Sequence, residues 1–95
     1  MNKDFNKILK IFFQSKPVLR AYLFGSAARN EAIDESDIDI LVELDYSRPI
    51  GLQFVKMQLE LEELLHKKVD LLSTNSVSKY IRPFIDQDKV LIYEK

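Results

Sequence analysis

Two aspartates stand at alternate positions where a continuous apolar run begins, Asp37-Ile38-Asp39-Ile40-Leu41-Val42. The β-branched residues of the run predict a buried strand. Side chains of a strand alternate between its faces, so both carboxylates should point the same way, with their Cα atoms roughly 7 Å apart. Two ionised carboxylates repel each other, and a divalent cation between them removes that cost. Hard oxygen ligands of this kind favour Mg²⁺ or Mn²⁺. The pattern therefore predicts a metal site.

A second apolar run, residues 18–24, ends at Gly25 and Ser26. It also predicts a strand, and the short connection to residues 37–43 favours antiparallel neighbours. Glycine lets a backbone turn sharply and approach a ligand closely, and serine can cap the short helical turn predicted over residues 27–29. Because N–H groups at a helix start attract phosphate, we expect a nucleoside triphosphate here, held through its metal ions.

The residues Gly25-Ser26, Arg29 and Asp37-x-Asp39, in this order and spacing, closely resemble the signature of the DNA polymerase beta-like nucleotidyltransferases. The short chain and the stretches GSAAR and SDIDILVE are similar to the minimal nucleotidyltransferases, which occur as antitoxin partners of HEPN-domain toxins. The resemblance extends from about Val18 to the C-terminus. It implies an α/β fold with a small mixed β-sheet, helices packed mainly on one face, and a single nucleotidyltransferase domain over residues 1–95.

The resemblance also implies the roles of the acidic residues. Asp37 and Asp39 would bind two metal ions, Mg²⁺ or alternatively Mn²⁺. Asp70 would be the third carboxylate of the metal site and would help to deprotonate an acceptor hydroxyl. Two-metal catalysis uses such a set to activate the attacking oxygen and to neutralise the phosphates that leave.

The nucleotide is expected at the glycine turn. By resemblance, Gly25 and Ser26 would hold the triphosphate of ATP or of another nucleoside triphosphate. Arg29 would contact phosphate or pair with a nearby acid such as Glu31, and the sequence does not choose between these. Glu43 shares the face of the two aspartates, and we expect it to form a salt bridge or to line the acceptor cleft.

The resemblance implies transfer of a nucleoside monophosphate, foremost AMP from ATP, to a hydroxyl. The expected acceptor is a tyrosine of a HEPN toxin, whose modification would silence it. One alternative is transfer to a small molecule or an RNA end, with a homo-oligomer completing the acceptor pocket. Another is an antitoxin that only binds its partner, with vestigial catalysis.

The rest of the chain supplies helices and a sheet. Residues 51–66 carry an apolar stripe too wide for a single seam, which indicates deep core or, less simply, a partner-binding face. A helix before the strand at residues 69–72 favours a parallel pairing for the strand of Asp70. His66 reads as a helix C-terminal residue rather than a catalytic one. The other predicted elements are helices at residues 2–15 and 80–85 and a strand at residues 90–93.

Composition excludes several classes of protein. The 95 residues contain no cysteine, so the chain has no disulfide framework and no thiolate zinc site. No apolar stretch approaches the roughly 20 residues that span a bilayer, and a cytoplasmic location is the default expectation. There is no basic stripe for duplex nucleic acid. Residues 31–45 contain seven acids and no lysine or arginine, so a triphosphate would need metal ions to bind there.

Overall fold

The computed structural model of the protein describes residues 3–25, 28 and 37–95. Its strands form one four-stranded sheet in the order β3-β2-β1-β4. β1 is antiparallel to both β2 and β4, whereas β2 and β3 are parallel, which confirms the predicted mixed sheet. The elements in chain order are α1 (Lys3–Gln14), β1 (Val18–Phe24), β2 (Ile38–Leu44), α2 (Gln53–Leu65), β3 (Val69–Ser73), a 3₁₀ turn (Thr74–Ser76), α3 (Arg82–Asp88) and β4 (Val90–Glu94).

Most element boundaries agree with the sequence pattern, and the helix starts differ. α2 begins at Gln53 rather than at residue 51, because Gly51 adopts a positive φ of 46° outside the helix. α3 begins at Arg82 rather than at residue 80, with a proline in its first turn, where the missing N–H has no helical partner to lose. Of the helical turn predicted at residues 27–29, only residue 28 is among the described residues.

α1 and α2 cover one face of the sheet, called the core face here. Its hydrophobic cluster joins Leu9 and Phe13 of α1 to Met57 and Leu61 of α2 and to the inward-pointing residues of the sheet. The sheet contributes residues of all four strands, including Ala21, Ile38, Ile40, Val42, Val69, Leu71 and Ile92. This confirms that helices pack mainly on one face. In the part of the chain that the structure describes, no helix could cross a membrane.

The wide apolar stripe of α2 is only partly core. Met57 and Leu61 are 1% and 0% exposed, but Val55 and Leu59 are 55% and 59% exposed, and Leu52, just before the helix, is 85% exposed. Residues four apart lie on the same face of a helix, so Val55 and Leu59 form a second stripe that turns away from the sheet. The deep-core interpretation is therefore wrong for Leu52, Val55 and Leu59, which we call the outer stripe.

The difference in burial between Leu61 and Leu59 of α2 can be tested by substituting each with alanine. Leu61→Ala should lower the free energy of unfolding by about 2 to 5 kcal/mol, because it leaves a cavity in the core. Leu59→Ala should change it by about 0.5 kcal/mol or less, because the side chain is largely in water already. Urea unfolding of both variants measures the difference. Equal losses would show that Leu59 packs as firmly as Leu61.

Candidate nucleotide and metal site

The predicted site residues lie on the face of the sheet opposite the core. Since Ile38 and Ile40 point into the core, alternation along β2 places Asp39 and Leu41 on the other face, called the site face here. α3 lies on this side. Its Ile85 is buried but does not belong to the core-face cluster, and the lysine that follows α3 covers Tyr22, the cross-strand partner of Leu41.

Asp39 and Asp70 are register partners on the neighbouring parallel strands β2 and β3. Neighbouring strands are separated by about 4.8 Å, so two residues far apart in sequence have adjacent backbones. The Ile38 amide donates a hydrogen bond of 2.9 Å to the Lys68 carbonyl and aligns the two strands at this end. Asp39 is half-buried and Asp70 is exposed. The structure thus places both carboxylates in one row on the site face.

Asp37 stands immediately before β2 and is half-buried. In the described ranges, no three His, Cys, Asp or Glu side chains converge closely enough to hold a metal ion, so the three aspartates do not form a closed ligand cluster. The donor set is nevertheless oxygen only. Mg²⁺ commonly binds through one or two carboxylates and completes its shell with water and substrate phosphates. The chemistry of Asp39 and Asp70 fits such a cation.

Gly25 ends β1 directly beside Asp39. Its φ of 69° lies in the left-handed region, and a Cβ built there would overlap Oδ2 of Asp39 and lie 3.4 Å from its Cγ. The cross-strand partner of Asp39 on β1 is Phe24, the residue before the glycine. The predicted turn therefore brings its backbone against the carboxylate. Ser26 and Arg29, the other expected nucleotide ligands, lie outside the described residues.

Arg20 connects three strands farther along the same face. Its Nη1 lies 2.9 Å from Oε2 of Glu43 on β2, and its Nε lies 2.7 Å from Oε2 of Glu94 on β4. The two carboxylates, Glu94 more than Glu43, raise the pKa of Arg20 above its usual value. The expectation of a salt bridge for Glu43 is confirmed. The sequence did not indicate Glu94, because the pairing of β1 with β4 is not visible in it.

The contacts of Lys89 on this face were not expected from the sequence. The Lys89 ammonium lies 4.7 Å from the centre of the Tyr22 ring and 3.0 Å from Oδ1 of Asp86. No motif indicated Lys89, since a single lysine between a helix and a strand is common. His66, in contrast, ends α2 with a left-handed φ of 54°, which confirms its place at the helix C-terminus.

A mixed sheet with a glycine turn against one aspartate and a second aspartate on the next parallel strand is the arrangement that the motifs predict for a polymerase beta-like nucleotidyltransferase. The model of the family described as "Polymerase beta, Nucleotidyltransferase" matches residues 6–95. The chain belongs to this family and is a nucleotidyltransferase. The resemblance inferred from the motifs is confirmed.

Two curated relatives have names that specify the reaction. A protein of Methanocaldococcus jannaschii, MJ0435, named as a candidate protein adenylyltransferase, is 41% identical over 90 residues, which cover 95% of each chain. The protein adenylyltransferase MntA of Thermococcus cleftensis is 36% identical over 70 residues, or 74% of this chain and 70% of the relative.

Solved structures support the same fold. The structure of a candidate minimal nucleotidyltransferase has a TM-score of 0.78 at 27% identity and covers 93% of this chain and 89% of its own. A chain of the tri-AMPylated Shewanella oneidensis HEPN toxin in complex with MNT antitoxin has a TM-score of 0.67 at 21% identity, over 99% of this chain and 74% of its own. The second likeness shows the fold alone.

The contact between Gly25 and Asp39 leads to a prediction that uses the second glycine as its control. Both Gly25→Ala and Gly51→Ala place a side chain at positive φ, which costs roughly 1 kcal/mol. Only at Gly25 would the new Cβ also meet a carboxylate, since nothing lies within 4 Å at Gly51. We expect Gly25→Ala to lose more stability and most nucleotidyl transfer, and Gly51→Ala to retain transfer. Thermal unfolding and a nucleotidyl-transfer assay measure both effects, and equal activity in the two variants would contradict the assignment of Gly25.

Proposed function

We propose that this chain is a metal-dependent protein adenylyltransferase that transfers AMP from ATP to a tyrosine hydroxyl of a HEPN-domain toxin in the cytoplasm, and so acts as an antitoxin. The observation that carries the proposal is the juxtaposition of Gly25, Asp39 and Asp70 on the site face. The names of the relatives supply the reaction, and the complex of an AMPylated HEPN toxin with its MNT antitoxin supplies the acceptor class.

The residues of the site would have different roles in the transfer. Asp37, Asp39 and Asp70 would hold Mg²⁺, which when bound neutralises phosphate charge and polarises the reacting oxygens. The Gly25 turn and Ser26 would orient the triphosphate by backbone N–H groups. Asp70 would accept the proton of the acceptor hydroxyl. That oxygen forms a bond to the α-phosphorus, the bond between this phosphorus and the oxygen that bridges to the β-phosphate breaks, and pyrophosphate leaves.

The exposure of Asp70 supports a macromolecular acceptor. Asp70 lies on β3, an edge strand of the sheet, and its side chain is exposed, whereas Asp39 beside it is half-buried. A hydroxyl that approaches from solvent on a folded partner therefore meets Asp70 first. Arg29 would contact phosphate, since the acidic residues around the site require positive charge close to the nucleotide.

Mass spectrometry of the HEPN partner tests this proposal. The partner is incubated with this protein, Mg²⁺ and each ribonucleoside triphosphate. We expect a mass gain of one or more AMP units on a tyrosine with ATP, and a loss of about 100-fold or more in rate for Asp39→Asn and Asp70→Asn, because each removes a negative charge that would hold the cation at the reacting centre. Glu63→Gln, which neutralises an exposed carboxylate on α2, is the matched control and should retain activity.

The outcomes separate the acceptor classes. An unmodified partner in a stable complex would contradict the proposal. If labelled AMP then appeared in RNA or in a small molecule, that molecule would be the acceptor instead of the HEPN toxin. If the Asp39→Asn variant still increased the mass of the partner at the normal rate, the assigned carboxylates would not perform the reaction.

A second candidate function, a binding-only antitoxin, is favoured by the outer stripe of α2. Val55 and Leu59, together with Leu52 just before the helix, form an exposed apolar surface, and the opposite side of the helix is anchored in the core. Such a surface suits the apolar face of a partner helix. In this case partner binding alone would neutralise the toxin.

Growth protection in cells that express the toxin distinguishes the two functions. For the adenylyltransferase, Asp39→Asn should abolish protection. For the binding-only antitoxin, Asp39→Asn should still protect, whereas Val55→Asp with Leu59→Asp should not, because charges would be buried in the interface. Ile11→Asp is the control, since Ile11 is a similarly exposed apolar residue at 58% but belongs to α1.

A further inference from the structure

Lys89 lies at the end of the row that contains the two carboxylates. Leu23 of β1 pairs with Val90, the first residue of β4, so the same antiparallel register continued by one residue places Lys89 opposite Phe24. The backbone of Lys89 is already extended, with φ of −64° and ψ of 141°. Phe24 in turn pairs with Asp39, which pairs with Asp70. We call these four residues, Lys89, Phe24, Asp39 and Asp70, the site row.

Strand spacing sets the scale of the site row. Two spacings of about 4.8 Å separate the Cα atoms of Lys89 and Asp39, or roughly 10 Å in all. The Lys89 ammonium lies over Tyr22, whose ring belongs to the site face, so the side chain points to the same side as Asp39. The site row therefore has a cation at one end, two carboxylates at the other, and Phe24 with the Gly25 turn between them.

The Lys89 ammonium is held by contacts that are easily exchanged. Its ion pair with Asp86 measures 3.0 Å, and the two side chains are 32% and 49% exposed, so water competes with the pair. Exposed pairs of this kind contribute little to stability. The flexible stem of a lysine lets the ammonium move by several ångströms once a stronger anion is present.

Within residues 3–25 and 37–95, the other cations near the site row are less suitable. Arg20 is bound by both Glu43 and Glu94, and it lies four register pairs away from the Phe24–Asp39 pair along β1 and β2. Lys68 precedes β3 at the same end of the sheet as the Gly25 turn, but β2 lies between β3 and β1. Lys89 flanks β1, the strand that leads into the turn.

We propose that Lys89 is a nucleotide-binding residue that contacts the β- and γ-phosphates of the bound nucleoside triphosphate, and that its ammonium exchanges its ion pair with Asp86 for these phosphates. The inference rests on the proposed function, which places the α-phosphorus beside Asp70 and the triphosphate at the Gly25 turn. The two terminal phosphates then extend away from the carboxylates toward Lys89. A lysine acts there as a point charge, and it offsets the repulsion between phosphate oxygens and the acidic residues.

Calorimetric titration tests this assignment with two probes in the presence of Mg²⁺, AMP and a non-hydrolysable ATP analogue with an imido bridge between the β- and γ-phosphates. We expect Lys89→Met to weaken binding of the analogue by about ten-fold and binding of AMP by less than about two-fold, because AMP lacks the phosphates that Lys89 contacts. Lys79→Met is the matched control. Lys79 also stacks on a tyrosine, 5.3 Å from the Tyr80 ring, and this variant should bind both probes like the unmodified protein.

Two more variants exclude a merely structural effect. Lys89→Arg keeps the charge and should retain most of the affinity for the analogue. Asp86→Asn releases Lys89 from its ion pair and should leave analogue affinity equal or stronger, whereas a structural role of the pair would make Asp86→Asn as harmful as Lys89→Met. Thermal unfolding of each variant shows whether its fold is intact.

The results distinguish failure of this inference from failure of the proposed function. Unchanged analogue affinity in Lys89→Met, or an equal loss for AMP, would overturn the role of Lys89 while the proposed function stands. If the unmodified protein bound no nucleotide, both the role of Lys89 and the proposed function would be wrong. If the loss is specific to the analogue but the HEPN partner is not modified, the role of Lys89 is supported and the proposed acceptor is wrong.

Discussion

The pairing of β2 with a strand on each side is the constraint on which the rest of the structure depends. β2 runs antiparallel to β1 and parallel to β3, so Asp39 has Phe24 as one neighbour and Asp70 as the other. A shift of the register by one residue would exchange the two faces of the strand. It would turn Asp39 into the core and expose Ile38 and Ile40, and the cost of burying a carboxylate there makes the observed register the stable one.

Much of this arrangement could be predicted from local sequence. The alternation of aspartate and isoleucine in β2 specifies which face is acidic, and the glycine after β1 marks where its backbone must turn. Because φ is positive at Gly25 and a Cβ there would displace the carboxylate of Asp39, glycine is the residue that fits this position without strain. These features depend on residues close in sequence, and they are the features that a family signature also preserves.

The remaining features depend on contacts between distant parts of the chain. Nothing local to Arg20 indicates that Glu94 will join Glu43 beside it, since this requires the register of β1 with β4. The same register places Lys89 in the site row. On α2, hydrophobicity alone did not separate the buried Leu61 from the exposed Leu59, because the pattern records which residues are apolar and not which of two opposite stripes meets the sheet.

The outer stripe and the site row lie on opposite sides of the molecule, which constrains how a partner could use both. α2 packs on the core face and its outer stripe points away from the sheet, whereas Asp70 projects from the site face. A helix is about 10 Å in diameter, and the sheet adds to the separation. A compact partner domain docked on the outer stripe would therefore not present a hydroxyl to Asp70 unless it extends a segment around the edge at β3. Holding one partner copy on α2 and modifying another at the site row are geometrically compatible. A partner-binding surface on the outer stripe is thus compatible with catalysis at the site row.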